Sequence, residues 1–327
     1  MRVCVFGAGA VGGHLAVQML AADPSGISIV ARGAMLRAIR EGGLALRKDG
    51  KEVRVHPPVA TDDPSTLPPQ DIVLVTLKAH SVPGAAQTIA RLMTPDGCAV
   101  FLLNGIPWWW QHGLSGSADT LPLLDPDRAL WREVRPERTL GGVVHSPNEI
   151  VEPGVIRHSG PDHVILGEPD GSASARLEAV ISLLRARGVD ARASQDLRRD
   201  ILHKLVFNAS GNPISALARA DLGEQGSNPE LRALSIAVMR ETLDVAAALG
   251  WDLRAKLDVE AAASRGKPGD RPSMLQDALL GRRLEVDAVL GQVQAFAREK
   301  SVAVPTIDVI LPLLRALDRA IGMSVPG

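Results

Sequence analysis

The sequence has no tyrosine, only two cysteines and 3% aromatic residues over its 327 positions. Without tyrosine, a general acid would have to be Lys, His, Asp or Glu. The two cysteines, Cys4 and Cys98, fall in apolar runs typical of buried strands, where a small buried thiol is the ordinary outcome. We therefore expect neither a disulfide nor a metal role for them.

Strong charge and long apolar runs are also missing. The 36 basic and 37 acidic residues give a formal net charge of -1, so no electrostatic footprint for nucleic acid or an anionic membrane is visible. No run approaches the roughly 18 apolar residues of a membrane-spanning helix. The apolar run Val3 to Phe6 is too short for a secretory signal. We expect a cytoplasmic protein with no nucleic-acid or membrane partner.

Glycine is well represented at the start of the chain. Val3 to Phe6 is typical of a buried strand, and it leads into the sequence Gly7-x-Gly9-x-x-Gly12 and then a helical pattern. One glycine permits a tight turn, one lets the backbone approach a pyrophosphate, and one lets the helix pack closely on the strand. Phosphates are favoured at a helix N-terminus by free N–H groups and the dipole. The pattern predicts a dinucleotide site.

Two cationic residues end the next predicted strands, at the edge where ligands bind in open α/β sheets. Arg32 follows the strand Ile27 to Ala31 and is the residue type that accommodates a 2′-phosphate, so NADPH is favoured over NADH. The alternative is a surface arginine that merely ends a strand. Lys78 ends the run Asp71 to Lys78 and is expected to meet cofactor or substrate, unless it is an ordinary solvated lysine.

Asn104 and Gly105 follow another predicted strand, either as simple turn chemistry or as a polar group aimed at the site. Three tryptophans, 108 to 110, come next. Three consecutive rings cannot all face a core on a helix or strand, so at least one is expected to line a cleft or interface. Residues 111–137 are predicted to form an inserted loop or lid.

Several shorter patterns complete the first half. Residues 44–59 alternate apolar and polar around Asp49-Gly50, which predicts a hairpin or strand pair at the sheet edge. Residues 140–167 are expected to add a small antiparallel extension to the sheet. His158 and His163 are interpreted as surface residues, and no metal site is predicted.

The pattern changes near residue 196 from strand–helix alternation to long helices. We therefore predict an α/β fold with two domains: an N-terminal Rossmann-type, doubly wound sheet over residues 1–195, and an all-helical C-terminal domain over residues 196–327.

A polar row crosses the first helix of that second domain. Lys204, Asn208 and Asn212 are four residues apart and therefore share one helix face. Burying such groups without partners costs about 1 to 3 kcal/mol each, which favours a ligand or a hydrogen-bond network. The alternative is a set of helix–helix hydrogen bonds, with Pro213 marking a kink.

Two further polar residues lie late in the chain. Ser273 and Gln276 fit a capping box, and a capping hydroxyl can also contact a substrate carboxylate. One helix is expected to run from there through Phe296, with Leu275 and Leu279 on its core stripe. Glu285 would lie beside that stripe among small neighbours, or else pair with Arg282 at the surface.

Taken together, these segments resemble the ketopantoate reductase (2-dehydropantoate 2-reductase) family. The matching segments are Gly7-Ala-Gly9-Ala-Val-Gly12-Gly13, Val30-Ala-Arg32, Leu77-Lys78-Ala, Asn104-Gly105, Lys204-Leu-Val-Phe-Asn208-Ala-Ser-Gly-Asn212-Pro213 and Ser273-Met-Leu-Gln-Asp277 with Glu285. The resemblance implies NADPH-dependent reduction of a 2-oxo acid to a 2-hydroxy acid, between a Rossmann domain and a helical domain. The family's substrate is ketopantoate, which is reduced to pantoate in pantothenate biosynthesis.

The resemblance also implies a role for each residue. Lys204 would be the general acid that protonates the developing alkoxide, and Glu285 would help hold substrate and lysine. Substrate contacts would come from Asn104, Asn208, Asn212 and Ser273, and cofactor contacts from Gly7, Gly9, Gly12, Arg32, Lys78 and Asn104. Nothing in the sequence determines the oligomeric state, and a homodimer is one option.

The sequence departs from the family around the substrate. Leu103 stands where the family commonly has Gln, and Leu222 where it has a further Asn. Reduction of a 2-oxo acid is therefore better supported than ketopantoate itself, and a bulkier acid is an alternative. Two other readings are a non-catalytic dinucleotide-binding regulatory protein and a related dehydrogenase that acts in the oxidative direction.

Overall fold

The computed structural model describes residues 1–116 and 120–323. The chain divides into two compact units. The first unit comprises Met1–Leu103 and Pro107–Leu197, and the second comprises Asn104–Ile106 together with the chain from Arg198 onward. The first unit is built from strands and helices and the second from helices, which confirms the predicted fold class.

The strands all belong to the first unit. They are β1 (Val3–Phe6), β2 (Ile27–Val30), β3 (Leu44–Lys48), β4 (Lys51–Val55), β5 (Val59–Thr61), β6 (Gln70–Val75), β7 (Met93–Phe101), β8 (Thr139–His145), β9 (Asn148–Glu152), β10 (Val155–His158), β11 (His163–Gly167) and β12 (Ala191–Ala193). Eight form one sheet in the order β12-β11-β8-β7-β6-β1-β2-β5. Its pairs are parallel except β8 with β11. β1 is buried along its whole length, as its apolar run predicts.

The other four strands form a second sheet in the order β4-β3-β10-β9. The predicted hairpin at Asp49-Gly50 is confirmed, since both residues have positive φ and Lys48 pairs with Lys51. Its predicted place at the edge of the main sheet is wrong, because β3 pairs with β10. Residues 140–167 were expected to extend one sheet. They instead contribute to both, because β8 and β11 belong to the main sheet and β9 and β10 to the second sheet. Alternation shows which face a strand buries and does not identify its partner.

Four helices accompany the sheets: α1 (Ala10–Ala22), α2 (Gly33–Gly42), α3 (Ala86–Leu92) and α4 (Ala175–Ala186). Helix α1 contacts strands of both sheets, which is why it is buried around most of its circumference. Gly13 permits this packing, since a Cβ there would lie 2.6 Å from Ile156 Cδ1 on β10. The helix that follows the glycine turn is thus fixed between two layers.

The tryptophan segment differs from the prediction. Trp108, Trp109 and Trp110 are all buried in the first unit. They lie in consecutive turns, where side chains follow neither helical nor strand spacing. Trp108 meets Phe101 and Trp131 edge to face, with ring centroids 5.5 and 6.3 Å apart. The expectation that a ring lines a cleft is therefore wrong for the isolated chain.

Residues 111–137 were also expected to form a loop or lid, and residues 117–119 of that segment lie outside the described residues. The described part is a loop of turns that is anchored by a few buried residues. Asp125 is buried and accepts the N–H groups of Leu130 and Trp131 at 3.1 and 3.0 Å, while Leu130 and Val134 are buried as well. A lid that opens would lose these contacts, so we find no support for one in the described part of this segment.

The second unit contains α5 (Leu197–Ala218, whose first residue is counted with the first unit), α6 (Leu222–Ser227), α7 (Pro229–Ala248), α8 (Val259–Ala263), α9 (Ser273–Leu279), α10 (Gln292–Glu299) and α11 (Pro305–Met323). Glu241 on α7 accepts the N–H groups of Thr306 and Ile307 at 2.8 and 2.9 Å, which satisfies the start of α11. Within the described ranges, membrane-spanning helices are not found.

The long helix expected from Ser273 through Phe296 is interrupted. Helix α9 ends at Leu279, which is exposed, and Gly281 adopts φ +64°. The chain resumes helical structure only at Val286, passes through a π-helical turn at Asp287–Gly291 and continues as α10. Asp318 on α11 secures the break by accepting the N–H of Leu284 at 2.8 Å. This tertiary contact overrides the helical periodicity of the sequence.

Candidate active site

The glycine turn in the first unit has the geometry that its sequence predicts. Gly7 has φ +114°, a conformation that residues with a Cβ rarely adopt. A Cβ on Gly12 would overlap the Gly7 carbonyl oxygen and the Thr76 hydroxyl. Thr76, at the end of β6, donates its hydroxyl to that same carbonyl at 2.6 Å. The turn therefore depends on glycine at both positions and on Thr76, which the sequence patterns did not single out.

Gly9 plays a different part in the same turn. It precedes α1 as the N-cap, has no side chain to cap the helix, and a Cβ on it would meet nothing within 4 Å. The space beside the first N–H groups of α1 is therefore open. A pyrophosphate fits such a cradle, because the N–H groups and the helix dipole favour an anion and the missing Cβ allows close approach.

The predicted cationic residues follow the strands on either side of β1. Arg32 is exposed and is the N-cap of α2, just after β2 ends. Lys78 is partly exposed and follows the end of β6 by three residues. Both positions lie at carboxyl ends of parallel strands that neighbour β1. Their contacts with a cofactor stay predictions.

In the second unit, three residues distant in sequence meet. Lys204 Nζ on α5 donates a hydrogen bond to Asn104 Oδ1 at 2.9 Å. Asn104 Nδ2 lies 3.5 Å from Glu285 Oε2, at the outer limit of a hydrogen bond. Asn104 therefore stands between an ammonium and a carboxylate and presents its acceptor to one and its donor to the other.

The surroundings change the acidity of Lys204. Burial lowers the pKa of its ammonium to about 8, and the negative charge of Glu285 opposes the shift. The side chain as a whole is only partly buried, so the effect comes from the desolvated ammonium end rather than from the aliphatic stem. A lysine in this state can release a proton near neutral pH, as a general acid must.

The two asparagines of the row are placed differently from Lys204. Asn212 is 6% exposed and Asn208 is half-buried. Throughout residues 1–116 and 120–323, neither carboxamide has a hydrogen-bond partner, so the predicted helix–helix bonds are not formed. Pro213 lies inside α5, where it removes a backbone donor. The two carboxamides are therefore available to hydrogen-bond a ligand.

Ser273 and Glu285 differ from their predicted settings. Pro272 is the N-cap of α9, so Ser273 is its first residue and the capping box is wrong; Gln276 instead donates to the Arg271 carbonyl at 2.8 Å. Glu285 is 6% exposed, which excludes the surface pair with Arg282. It precedes the helical turn that begins at Val286. Ser273 is partly exposed.

The sequence patterns also missed a cluster in the first unit. The rings of His14 and His158 stack with centroids 4.7 Å apart, and Asp162 Oδ2 lies 3.3 Å from His14 Nε2. Both histidines are buried, so the surface interpretation of His158 is wrong. Burial lowers the pKa of His158, against the effect of Asp162. Position 14 gave no signal, because its partners are more than a hundred residues away.

Histidine and carboxylate are metal ligands, so the cluster was considered as a metal site. The two rings stack face to face, with ring planes that differ by only 14°. Lys48 Nζ already donates to Asp162 Oδ2 at 2.9 Å. Ser146 Oγ lies 3.3 and 3.2 Å from the two Nδ1 atoms. The geometry fits a buried hydrogen-bond network better than a cation site.

Known proteins resemble this chain along nearly its whole length. The family model for ketopantoate reductase PanE/ApbA matches residues 3–171, and the model for its C terminal matches residues 196–318. A 2-dehydropantoate 2-reductase from Mesorhizobium japonicum is 37% identical over 97% of this chain and 98% of its own. A crystal structure of a candidate ketopantoate reductase from Ralstonia solanacearum is 35% identical, with a TM-score of 0.88 over 98% of both chains.

A more distant structure shares the fold. D-mandelate dehydrogenase with NADH and anilino(oxo)acetate has a TM-score of 0.83 at 21% identity, covering 98% of this chain and all of its own. The fold and the family matches define an oxidoreductase that acts on CH–OH groups. The chain belongs to the ketopantoate reductase family and reduces a 2-oxo acid.

Proposed function

We propose that the protein reduces ketopantoate to pantoate with NADPH and that Lys204 is the general acid. The observation that carries the proposal is the ammonium of Lys204, held by Asn104 and lowered in pKa, next to two asparagines without partners. When bound, the reduced cofactor supplies the hydride that adds to the carbonyl carbon. Lys204 gives its proton to the carbonyl oxygen, so the oxo acid gains one hydride and one proton and becomes a hydroxy acid.

The neighbouring residues have distinct parts in this proposal. Asn104 fixes the direction of Nζ by accepting one of its protons, and the ammonium is the proposed proton donor to the substrate oxygen. Glu285 favours the charged lysine through its own charge. Asn208 and Asn212 offer donors and acceptors to the substrate hydroxyl and carboxylate, and Ser273 adds a hydroxyl. An ammonium beside the reacting oxygen stabilises the negative charge that develops there.

For the cofactor, we propose that Gly7, Gly9 and Gly12 hold the pyrophosphate and that Arg32 pairs with the 2′-phosphate of NADPH. The exposed position of Arg32 after β2 supports this choice, because a guanidinium at that strand end accommodates a phosphate where a carboxylate would repel it. Lys78 and Asn104 are proposed to contact the nicotinamide end. A cytoplasmic location agrees with a biosynthetic reductase and is part of the same proposal.

The test is NADPH oxidation with ketopantoate and a panel of 2-oxo acids of increasing bulk. We expect ketopantoate to have the highest kcat/KM, and Lys204→Ala to lower kcat by about 10³-fold, within the range that general acids contribute. Lys300→Ala, an exposed lysine on another element, is the matched control and should leave kcat unchanged. Equal turnover by wild type and Lys204→Ala would remove Lys204 from the mechanism.

Two outcomes would change the proposal itself. A bulkier acid turned over better than ketopantoate would favour the alternative substrate, which is kept because Leu103 and Leu222 replace polar residues of the family. Cofactor binding without turnover of any acid would favour the non-catalytic reading.

We also propose that the protein forms a homodimer through α11. Apolar residues share an exposed face of this helix, with Val309 63% and Leu313 55% exposed next to Pro312 and Ala316. A ketopantoate reductase of this fold from Staphylococcus aureus is described as dimeric. Sedimentation equilibrium should give a dimer for wild type and Lys300→Glu, and a monomer for Leu313→Glu. A wild-type monomer at all concentrations would refute the dimer.

A further inference from the structure

The segment that carries Asn104 is fixed to the π-helical turn by its backbone. Ile106 N–H donates to the Ala288 carbonyl at 2.8 Å. Gly105 has φ +80°, and a Cβ on it would overlap both the carbonyl oxygen and the carbonyl carbon of Ala288. Only glycine lets the two backbones approach this closely. The contact lies one residue from Asn104.

The turn that receives this segment begins two residues after Glu285. Val289 N–H donates to the Glu285 carbonyl at 3.2 Å, and Gln292 N–H donates to the Asp287 carbonyl across the wider π-helical spacing. The same short element therefore fixes the backbone of Glu285 and, through Ala288, the backbone next to Asn104. π-Helical turns of this kind occur often at functional sites. The π-helical turn therefore holds the backbone at both Glu285 and Asn104.

We propose that Gly105 is a positioning residue for the reduction: by lying against the Ala288 carbonyl, it sets the Asn104 carboxamide between Lys204 and Glu285. The inference rests on the proposed function in that Lys204 is taken as the acid. Gly105 has no side chain and acts only through Asn104. Any Cβ at this position must push the segment away from Ala288, which moves Asn104 Oδ1 off the ammonium 2.9 Å from it.

Backbone strain at Gly105 is a competing explanation for any loss of activity in a Gly105 variant. Positive φ alone makes a substitution costly, whatever lies around it. Gly281, in the same unit, has φ +64° with nothing within 4 Å of a Cβ, so it shares the backbone cost and lacks the close approach. Gly281→Ala is therefore the matched control for Gly105→Ala. Asn tolerates positive φ better than Ala does, so Gly105→Asn relieves the backbone cost and keeps the overlap.

The experiment compares Gly105→Ala, Gly105→Asn and Gly281→Ala with wild type. A misplacement of about 1 Å costs about 10²-fold in rate, so we expect both variants at 105 to lower kcat by about that factor. Gly281→Ala should keep the wild-type kcat and the wild-type KM for NADPH. Circular dichroism and thermal unfolding establish that each variant is folded.

A second readout does not depend on turnover. Competitive acetylation of the intact enzyme over a pH series, read by mass spectrometry at Lys204, gives the pKa of that ammonium directly. We expect the pKa to change in both variants at 105 and to stay constant in Gly281→Ala. This readout still applies if the proposed substrate or the acid role of Lys204 proves wrong. A failure of the proposed function can therefore be distinguished from a failure of the role inferred for Gly105.

Three results would overturn the inference. One is a Gly105→Ala variant with the kcat and the Lys204 pKa of Gly281→Ala. Another is a Gly105→Asn variant restored to wild-type rate, which would assign the effect to backbone strain. The third is failure of both variants at 105 to fold, which would assign the position to stability alone.

Discussion

The glycine turn and the Lys204 cluster depend on sequence in opposite ways. The turn lies within six consecutive positions, Gly7 to Gly12, and Thr76 and Val30 contact Gly7 from elsewhere in the chain. The cluster joins residues 100 and 181 positions apart, Asn104 with Lys204 and Asn104 with Glu285. The turn is set by backbone geometry that glycine alone permits, whereas the cluster is set by side-chain hydrogen bonds and burial.

Because of this difference, we expect amino-acid substitutions in the two regions to have different effects. A substitution in the turn acts on the backbone, so it should weaken cofactor binding whatever the substrate is. A substitution of Lys204 or Glu285 in the cluster acts on one polar contact, so it should alter the reaction with the acid and leave cofactor affinity alone. Substitutions in each region test whether cofactor binding and the reaction with the acid are controlled separately.

Gly12→Ala is expected to have the largest effect on cofactor binding. The added Cβ would overlap the Gly7 carbonyl oxygen, so the turn cannot keep its shape and the first N–H groups of α1 move. We expect the Kd for NADPH, measured by fluorescence titration, to rise by about 100-fold or more, as charge-assisted contacts to the phosphates are lost. Gly9→Ala should bind weakly too but unfold at the wild-type temperature, because its Cβ meets no protein atom. A Gly12→Ala variant with normal affinity would contradict the cradle.

Next in size is Arg32→Asp. Replacing a phosphate partner by a carboxylate should lower kcat/KM for NADPH by about 10- to 100-fold and change that for NADH far less, as expected for one charged hydrogen bond. Steady-state kinetics with both cofactors measure this. Arg157→Asp, an exposed arginine on β10, is the control. An unchanged cofactor preference would refute the role proposed for Arg32.

Asn212→Ala should have a smaller and more selective effect. Loss of one hydrogen bond to a charged substrate should raise KM for the acid by about 10-fold and leave KM for NADPH unchanged. The free energy of unfolding in urea should stay near the wild-type value, because the carboxamide makes no hydrogen bond within the described residues. A destabilised variant with normal KM would show that Asn212 is structural.

The smallest effect is expected for Glu241→Gln. The carboxylate caps α11 through two backbone N–H groups, and removal of its charge should lower the free energy of unfolding by about 1 to 2 kcal/mol. Urea denaturation measures the change. The Kd for NADPH should not move, since the substitution lies in the helical unit. Weaker cofactor binding in this variant would break the separation of the two regions.

Much of the fold followed from local patterns, and the errors came from contacts distant in sequence. The apolar run before Gly7 and the turn at Asp49-Gly50 were predicted because neighbouring residues determine them. The partner of β3 and the break after Leu279 were not, because another strand and Asp318 decide them. Spacing alone could not predict that the three tryptophans would all be buried, since their turn conformation follows neither regular period.

In the candidate site, too, local patterns were predictable from the sequence and distant contacts were not. The row of Lys204, Asn208 and Asn212 was visible from helical spacing, as was the glycine turn. The bond between Lys204 and Asn104 could not be derived from spacing, because the two residues are 100 positions apart. The backbone contact of Gly105 with Ala288 had no sequence signal, because a glycine after asparagine is also common in simple turns. The assigned roles of all these residues stay predictions until they are measured.

The most direct test of the central claim is the pH dependence of kcat/KM for the acid, measured at saturating NADPH. If Lys204 is the acid, only its protonated form reacts, and its pKa lies below the ordinary lysine value at about 8. We therefore expect kcat/KM to be level below that pH and to fall by about tenfold per pH unit above it. A profile that stays level to pH 10, or one that is the same in Lys204→Ala, would contradict the account.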